Sequence, residues 1–306
     1  MGSEQKPCDL IALVLNYNNW PDTARCINSF LADPQMAEKR LVVIDNGSTD
    51  DSEEFIRSSY PNIEILKHST NLGFAEGFNR AITKLIEEHP KSFLLLNNDV
   101  VVHPNSIQKM LLTLGSVKNV GVVGPAVLYM GSRTIHSMGV SIDLKTGRSV
   151  GRFNRLGYDS VSPSVDDVDY VQGCAMLVKR DVFEKVGLFA SHFFLYAEEV
   201  DLCLRAKKCG FRVVCDSNAV IEHREGSTTN RYPEMKVRLQ ARNKILLLKR
   251  HGRARDLMYF ALWTTATELP LMIVRALRYE HSIRGLASWS RGNLEGIANS
   301  LNEPRL

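Results

Sequence analysis

The chain has 306 residues, of which 44% are hydrophobic and 24% charged, with 20 Gly and 11 Pro. These values are typical of a globular protein with one large or two modest domains, and they exclude collagen-like, low-complexity and disordered chains. The net charge of +4 is unevenly spread. Residues 1–230 carry 24 Lys and Arg against 28 Asp and Glu, whereas residues 231–291 carry 13 against 4. An acidic body is therefore followed by a basic C-terminal segment.

Short apolar runs alternate with helix-like stretches over the first 127 residues. The runs predict strands at 10–15, 41–44, 63–66, 93–96 and 120–127. The stretches between them predict helices at 22–33, 50–58, 74–88 and 105–114. Continuous apolar strands that alternate with helices are typical of a parallel sheet covered on both faces. We therefore expect an α/β fold with a mostly parallel central sheet flanked by helices.

The second half of the chain is less regular. Residues 128–168 are rich in Gly, Ser and Asp and predict a loop-rich insertion with a short hairpin. The pattern then predicts strands at 169–178, 212–216 and 219–222, a helix at 198–209, and helices over the remaining residues. Asp201 and Arg205 are four residues apart on the predicted helix, so we expect them to form an ion pair.

Cysteine usage and the two ends of the chain bear on the compartment. The six cysteines form no C-x-x-C pair, so zinc-ribbon and thioredoxin-like sites are not expected. Several lie among apolar residues, which indicates buried free thiols in a reducing compartment. Residues 1–6 contain no apolar run, so we expect no signal peptide and a cytoplasmic location.

One apolar stretch, residues 257–277, is long enough to cross a bilayer. Glu268 and Pro270 lie near its middle, and a charge at the bilayer centre costs at least about 2.5 kcal/mol. We therefore expect one or two helices that lie in the membrane interface or pack on the body, rather than a membrane span.

The first four predicted strands each lead into a cluster of polar residues. The clusters are Asn16-Tyr17-Asn18, Asp45-Asn46-Gly47, Asn71-Leu72-Gly73-Phe74 and Asn97-Asn98-Asp99. Ligands of open parallel sheets bind outside the carboxyl ends of the strands, so the clusters predict a ligand site there. The sequence carries no G-x-G-x-x-G, no P-loop and no G-x-S-x-G motif. Dinucleotide, P-loop nucleotide and hydrolase sites are therefore not supported.

Several acidic and imidazole side chains could carry chemistry. Asp99, a hard oxygen donor at a strand end, could hold a divalent cation together with substrate phosphates, and His223 could complete such a site. Asp45 could accept hydrogen bonds from a base or ribose, or could simply stabilise its turn. Glu198 and Glu199 open a helix whose dipole favours acids, and a carboxylate aimed into a cleft could act as a general base.

Taken in order, these motifs resemble a known family. The series is Leu15–Asn18, Val43–Asp50, Asn71–Asn79, Leu96–Asp99, Asp169–Met176, Tyr196–Arg205 and His223. It resembles the family 2 inverting glycosyltransferases of the GT-A fold, especially the rhamnosyltransferase-like branch. The resemblance implies a GT-A catalytic domain at 8–230. The excess of Lys and Arg and the apolar stretches of the remaining chain predict a basic, amphipathic, helical region at 231–306 that associates with a membrane.

The resemblance also implies a nucleoside-diphosphate-sugar donor, with dTDP-rhamnose or a UDP-sugar as candidates. It implies nucleotide-binding roles for Asn16, Tyr17, Asp45, Gly73, Phe74 and Asn79, with Asp45 reading the base. It matches Asn97-Asn98-Asp99 to the metal-binding D-x-D motif, so that Asp99 and His223 would hold Mn²⁺ or Mg²⁺ with the diphosphate. Gln172 and Gly173 would line the donor-sugar and acceptor cleft, and Glu199 takes the position of the general base.

Two departures from the family pattern bear on these roles. Asn97 stands where a first carboxylate is usual, which predicts a weaker metal site. Glu198-Glu199 stands where Glu-Asp is usual, so either glutamate could be the base. The implied reaction transfers the sugar to a hydroxyl of a glycan or lipid-linked acceptor in cell-surface polysaccharide synthesis.

Other functions remain as alternatives. A sugar nucleotidyltransferase would need a Gly-rich basic loop after the first strand, where Asn16-Tyr17-Asn18-Asn19 stands. A non-catalytic, membrane-peripheral scaffold could retain a degenerate sugar-nucleotide site. The basic segment lacks a nucleic-acid-binding motif, and its apolar stretches flanked by Lys and Arg fit an anionic membrane surface better. We expect a protein peripheral to the inner face of the cell membrane that could form a homodimer.

Overall fold

The structure is a computed structural model that describes residues 9–33, 35–36, 39–226, 229–278 and 282–299. Its strands are β1 (Leu10–Asn16), β2 (Arg40–Asp45), β3 (Glu64–Lys67), β4 (Ser92–Asn97), β5 (Val100–Val102), β6 (Val120–Tyr129), β7 (Ile135–Ser137), β8 (Val140–Asp143), β9 (Arg148–Gly151), β10 (Val165–Asp167), β11 (Ala175–Lys179) and β12 (Arg212–His223). Its helices are α1 (Trp20–Leu31), α2 (Ser52–Ser59), α3 (Gly73–Leu85), α4 (Ser106–Ser116), α5 (Arg180–Val186), α6 (Glu198–Lys208), α7 (Pro233–His251), α8 (Ala254–Trp263), α9 (Leu269–Arg278) and α10 (Ser282–Ala298).

A large mixed sheet organises the described residues, with strand order β10-β12-β6-β11-β4-β1-β2-β3. The predicted parallel arrangement is confirmed for β4, β1, β2 and β3. Beyond β4 the sheet is mixed, because β11 runs antiparallel to both of its neighbours, β4 and β6. A strand covered on both faces is apolar in either direction, so its composition does not reveal which way it runs. Farther along the sheet, β12 and β6 pair in parallel again, whereas β5, β7 and β10 pair antiparallel to their neighbours. The predicted parallel arrangement therefore holds for β3-β2-β1-β4 and for β6-β12.

Two hydrophobic layers sandwich this sheet. Along β1, Ile11 and Leu13 pack on one face with α3, α5 and α6, while Leu10, Ala12 and Val14 pack on the other with α1, α2 and α4. This alternation follows from the two-residue period of a strand. Burying each Leu or Ile stabilises the fold by about 1.5–3 kcal/mol relative to an exposed side chain. The sheet is thereby rigid, and the site lies at its carboxyl edge.

Two local predictions change in detail, and a third is confirmed. The two strands expected at 212–216 and 219–222 form one strand, β12, with an irregular register between Asp216 and Val220. The strand expected from residue 169 begins only at Ala175. The hairpin predicted within 128–168 is present as β8–β9. The described cysteines are free thiols, four of them buried, as expected, and Cys8 lies outside the described residues.

The C-terminal helices pack on the body and on one another. Leu246 and Leu247 of α7 belong to the main core. Gly292 and Gly296 of α10 let this helix approach α7 closely, because a Cβ at Gly292 would lie 2.2 Å from the carbonyl oxygen of Arg238. Helices α8 and α9 form one continuous rod through a π-helical turn, Thr264–Glu268.

The rod includes a segment, Ala254–Val274, that is long and apolar enough to cross a membrane, with a mean hydropathy of 1.4 and 11% of it buried. This likeness to a membrane span rests on length and composition alone. Within the same rod, the carboxylate of Glu268 lies 2.8 Å from the ammonium of Lys244 on α7, which ties the rod to the body.

Candidate functional site

The polar clusters converge, as predicted, on a cavity of about 250 Å³ at the carboxyl ends of β1, β2 and β4. We call it the first cavity. Residues from the predicted clusters that line it are Tyr17, Asn46, Asn71, Gly73, Phe74, Asn97, Asn98, Asp99 and His223. The loop before α6 and the first turns of α7 close it from the other side, through residues that include Tyr196, Tyr232, Lys236 and Gln240.

Asn46 joins two sides of this cavity. Its Oδ1 accepts a hydrogen bond from the backbone N–H of Leu72 at 3.2 Å, and its Nδ2 donates to the carbonyl of Gly73 at 3.0 Å. Gly73 begins α3 with φ at +77°, and a Cβ there would lie 2.4 Å from the carbonyl oxygen of Phe194. Only glycine fits this close approach without strain. The end of β2, the start of α3 and the loop before α6 therefore meet at one point.

Asp45 and Asn16 lie beneath the cavity rather than in its wall, and both are fully buried. Asp45 Oδ1 accepts a hydrogen bond from the backbone N–H of Ser48 at 3.2 Å, and Asn16 donates to the Ser48 hydroxyl at 3.1 Å. Successive strand residues point to opposite faces, and it is the neighbouring Asn46 that lines the cavity. Asp45 Oδ1 stabilises the turn, whereas Asp45 Oδ2 is buried and has no hydrogen-bond partner among the described residues.

Three other predicted residues also lie outside the first cavity. The Asn79 amide forms two hydrogen bonds with the backbone of Phe189. Its Nδ2 donates to the Phe189 carbonyl oxygen at 2.8 Å, and its Oδ1 accepts from the Phe189 N–H at 3.0 Å. Gln172 lies within reach of the Cys174 thiol. Gly173 packs between two site residues, because a Cβ there would lie 3.3 Å from Phe74 Cζ and 3.5 Å from Glu199 Cβ. Gly173 thus lies between Phe74, which lines the first cavity, and Glu199.

Asp99 and His223 meet at the mouth of the first cavity, with Asp99 Oδ1 3.2 Å from His223 Nε2. Burial disfavours the charged imidazole, but Cys174 and the Asp99 carboxylate hold the pKa of His223 well above its usual range. No group of three or more His, Cys, Asp or Glu side chains suited to a metal occurs among the residues that the structure describes. A carboxylate–imidazole pair in a polar cavity fits a divalent cation whose other ligands come from substrate phosphates and water.

Glu199 faces a second cavity, of about 560 Å³, which borders the first. Tyr196 and Gln240 line both. The Oε2 atom of Glu199 is buried and has no hydrogen-bond partner among the described residues. Burial raises the pKa of Glu199 to about 7, although backbone N–H groups at the start of α6 partly offset this effect. A carboxylate with this pKa is matched to proton transfer near neutral pH.

Glu198 differs from its neighbour. It is almost completely buried and lines neither cavity. Burial, reinforced by the charge of Glu199, raises the pKa of Glu198 well above its usual range. Burial therefore favours the protonated form of Glu198 relative to that of an exposed glutamate.

The loop that precedes α6 has an unusual backbone. Phe194, Tyr196 and Ala197 all have positive φ, at 62°, 72° and 74°. Asn243 of α7 holds this loop, since its Nδ2 lies 2.9, 2.8 and 2.7 Å from the carbonyl oxygens of Phe193, Leu195 and Tyr196. Positive φ at non-glycine residues stores strain, which surrounding contacts must support. Here the contacts come from α7.

A buried charge cluster also ties α6 to α7. Asp201 is fully buried, and it pairs with Arg205 at 2.8 Å, which confirms the predicted i,i+4 pair. Arg250 and His251 at the end of α7 each lie 2.8 Å from Asp201 Oδ1. Burial opposes ionisation, but these three partners hold the pKa of Asp201 below its usual range. The glutamate-bearing helix is thus anchored to the basic C-terminal region.

Sequence reasoning did not find the contributions of α7. Met235, Lys236, Gln240, Asn243 and Lys244 line one or both cavities, yet they fall in the region that the sequence separated from the catalytic domain. Four of these five residues are polar and match no motif, so the sequence left no signal that could have found them.

Comparison with known proteins agrees with this geometry. The model of the family described as Glycosyl transferase family 2 matches residues 12–187, more than half of the chain. The N-acetylglucosaminyl-diphospho-decaprenol L-rhamnosyltransferase of Mycobacterium tuberculosis is 28% identical over 272 residues, which are 79% of this chain and 85% of the relative. The low-salt glycan biosynthesis hexosyltransferase Agl10 of Haloferax volcanii is 25% identical over 97% of this chain and 93% of its own.

Solved structures show the same fold at low identity. The mannosyltransferase PcManGT from Pyrobaculum calidifontis, in complex with GDP-Man and Mn²⁺, gives a TM-score of 0.58 at 13% identity, over 95% of this chain and 87% of its own. GalNAc-T7 with UDP, GalNAc and Mn²⁺ gives 0.61 at 11% identity, over 81% of this chain and 48% of its own. The fold is therefore the GT-A fold expected from the motifs. The chain belongs to glycosyl transferase family 2 and is a glycosyltransferase.

Proposed function

We propose that the protein transfers a sugar, with inversion and with the help of a divalent metal, from a nucleoside-diphosphate donor to a hydroxyl of a glycan or lipid-linked acceptor. The observation that carries the proposal is the pairing of the two cavities. The first holds Asp99, His223 and the Asn46–Gly73 wall, and the second holds Glu199. Donor and acceptor would then meet at Tyr196 and Gln240.

The donor would occupy the first cavity. Phe74, only 6% exposed, offers an apolar surface, and Asn46 and Asn71 offer amide groups to the nucleoside. Asp99 and His223 would hold Mn²⁺ or Mg²⁺, which when bound neutralises charge on the diphosphate leaving group. Lys236 also lines this cavity, with the Asn230 side chain 3.2 Å from its ammonium. Asn97 leaves the metal with a single carboxylate from this motif. The positive charge of Lys236 would then help the metal to neutralise the diphosphate.

The reaction follows from the position and pKa of Glu199. Its ionised carboxylate takes the proton of an acceptor hydroxyl, whose oxygen attacks the anomeric carbon from the face opposite the diphosphate. The new carbon–oxygen bond forms as the bond to the diphosphate oxygen breaks, and the electron pair leaves with the diphosphate. Glu198 is buried and lines neither cavity, whereas Glu199 lines the second, so we assign the base role to Glu199.

The nature of the donor and acceptor is proposed from the relatives. Rhamnosyl transfer to a diphospholipid-linked sugar is what the name of the mycobacterial relative states, and hexosyl transfer is what the name of the archaeal relative states. Their likeness to this chain over most of its length favours dTDP-rhamnose, with UDP-sugars as the next candidates.

Calorimetry tests the donor site. Wild-type protein is titrated with UDP, dTDP and GDP, each with and without Mn²⁺, and the same titrations are run on Asp99→Ala. We expect one nucleotide to bind more tightly with Mn²⁺ and this metal effect to vanish in Asp99→Ala. Asp50→Ala, which changes an acidic residue that lines neither cavity, is the control. Nucleotide binding that is absent, or indifferent to Mn²⁺ in the wild type, would refute the metal-dependent donor site.

We also propose that the C-terminal region rests on an anionic membrane from the cytoplasmic side. The rod of α8 and α9 exposes large apolar side chains, including Leu262 at 66% and Leu277 at 82%. The surrounding segment carries the excess of Lys and Arg noted above. Apolar contact combined with positive charge is the combination that binds helices to anionic lipid surfaces.

Liposome flotation tests this proposal. The double variant Leu262→Glu and Leu277→Glu should lose most of its binding to vesicles of phosphatidylglycerol and phosphatidylcholine. Leu112→Glu, which changes an exposed leucine on α4, should bind like the wild type. Equal binding by the double variant and the wild type would contradict the proposed surface.

A further inference from the structure

The second cavity has a wall that the catalytic motifs do not supply. On one side lie Glu199, Tyr170 and Tyr196, together with the β8–β9 turn. On the other side lie α7, Met272 of α9 and Trp289 of α10. The basic C-terminal helices therefore help to enclose the cavity that Glu199 lines.

We propose that this second cavity binds the acceptor as a sugar ring, and that Trp289 and Met272, from the C-terminal helices, determine which sugar is accepted. The inference rests on the proposed function, because it takes Glu199 as the base. It goes further in assigning acceptor recognition to α9 and α10.

The chemistry of the lining fits a sugar. Sugar rings present apolar C–H faces and a rim of hydroxyl groups, so they bind between aromatic surfaces and polar side chains. Trp289, Tyr170 and Tyr196 supply aromatic rings, and Gln240 supplies an amide. Burial raises the pKa of Tyr170, so its phenol remains a neutral hydrogen-bonding group. At about 560 Å³ the cavity lies within the range of small-ligand sites.

The walls of the cavity are held in fixed positions. Gly147 of the β8–β9 turn lies against α7, where a Cβ would be 2.4 Å from Lys244 Cγ. Lys244 in turn binds Glu268 at 2.8 Å, which fixes α9 and with it Met272. Gly292 brings α10 against α7 three residues after Trp289. The β8–β9 turn, α9 and α10 are therefore each held against α7 by a contact of their own, which fixes the positions of Met272 and Trp289.

Ligand-detected NMR tests the inference. The protein is saturated with Mn²⁺ and its best nucleoside diphosphate and then mixed with methyl glycosides of glucose, mannose, rhamnose, N-acetylglucosamine and N-acetylgalactosamine. We expect at least one glycoside to bind the wild type, to bind Trp289→Ala about tenfold more weakly, and to be excluded by Met272→Trp, which fills the cavity from another helix. Trp263→Ala, outside both cavities, should match the wild type.

Nucleotide affinity is measured on every variant and should be unchanged, which also shows that each variant is folded. Failure of the wild type to bind any nucleotide would refute the proposed function itself. Normal nucleotide binding without glycoside binding, or with glycoside binding that is unchanged in both Trp289→Ala and Met272→Trp, would overturn the acceptor assignment alone.

Discussion

Replacing Glu199 with glutamine removes the group to which we assign the proton-transfer step while it keeps the shape of the side chain. In the wild type, a base with a pKa of about 7 is about one-tenth ionised at pH 6 and about nine-tenths ionised at pH 8. The rate of transfer at saturating substrates should therefore rise about tenfold across this interval. Glu199→Gln should lower that rate by about 10²–10⁴-fold, and the residual rate should lose this pH dependence.

The same substitution should stabilise the protein, and the sign follows from proton linkage. Between the ordinary pKa of 4.5 and about 7, the folded state binds more protons at Glu199 than the unfolded state does. Stability therefore falls as pH rises through this interval, and the loss is complete above pH 7. A shift of this size corresponds to at most about 3 kcal/mol. Partial exposure of Glu199 and the interaction with Glu198 reduce the expected value to about 1–2 kcal/mol.

Thermal unfolding of both proteins at pH 4 and pH 8 measures this effect. Glu199→Gln should unfold about 2–4 °C higher than the wild type at pH 8 and at nearly the same temperature at pH 4. Glu184→Gln, an exposed glutamate on α5, is the matched control and should show no such difference. A lower unfolding temperature for Glu199→Gln at pH 8, or a wild-type rate that is flat between pH 6 and pH 8, would refute the reasoning.

Three further predictions follow from the site. Gly73→Ala places a Cβ 2.4 Å from the carbonyl oxygen of Phe194 at a φ of +77°. It should therefore lower the free energy of unfolding by about 1–3 kcal/mol and weaken nucleotide binding at least tenfold. A nucleotide affinity that calorimetry finds unchanged would contradict this. Asp201→Asn leaves the buried Arg205 without its charge partner. Chemical denaturation at pH 7 should therefore show a free energy of unfolding that is lower by about 3–5 kcal/mol. A decrease below about 1 kcal/mol would argue against a stabilising charge cluster. Lys236→Ala should weaken binding of the nucleoside diphosphate about tenfold but leave binding of the nucleoside unchanged, and equal effects on both would exclude a diphosphate contact.

Much of the site could be predicted because its residues follow strands. Apolar runs of fixed length located β1, β2 and β4, and the ends of parallel strands must meet at one edge. Asp99, Gly73 and Phe74 were therefore placed correctly at the cavity. That Asn46 lines the first cavity and its neighbour Asp45 does not could not be predicted in this way. It depends on which of two adjacent residues faces the cavity, and a one-residue shift in the strand end reverses the answer.

The contribution of α7 could not be predicted for a different reason. Asn243 and Lys244 act through partners about 24 to 50 residues away, and no local pattern records such contacts. Charge counting divided the chain near residue 231, yet Arg250 neutralises Asp201 on the catalytic side of that division. A basic segment can owe part of its charge to buried acids of the neighbouring domain. The positive surface potential of the C-terminal segment is then smaller than its excess of Lys and Arg suggests.

The π-helical turn between α8 and α9 sets the rotational phase of the rod. A π turn inserts one residue into the helical repeat and so rotates everything beyond it by about 100°. Met258 and Leu262 before the turn face outward, as does Leu277 beyond it, whereas Glu268 at the end of the turn and Met272 beyond it contact the body. Deleting Thr265 should restore a plain α-helix and swing Met272 away from the second cavity. The extra residue thus lets one continuous helix place apolar side chains on the protein surface and Met272 in the wall of the second cavity.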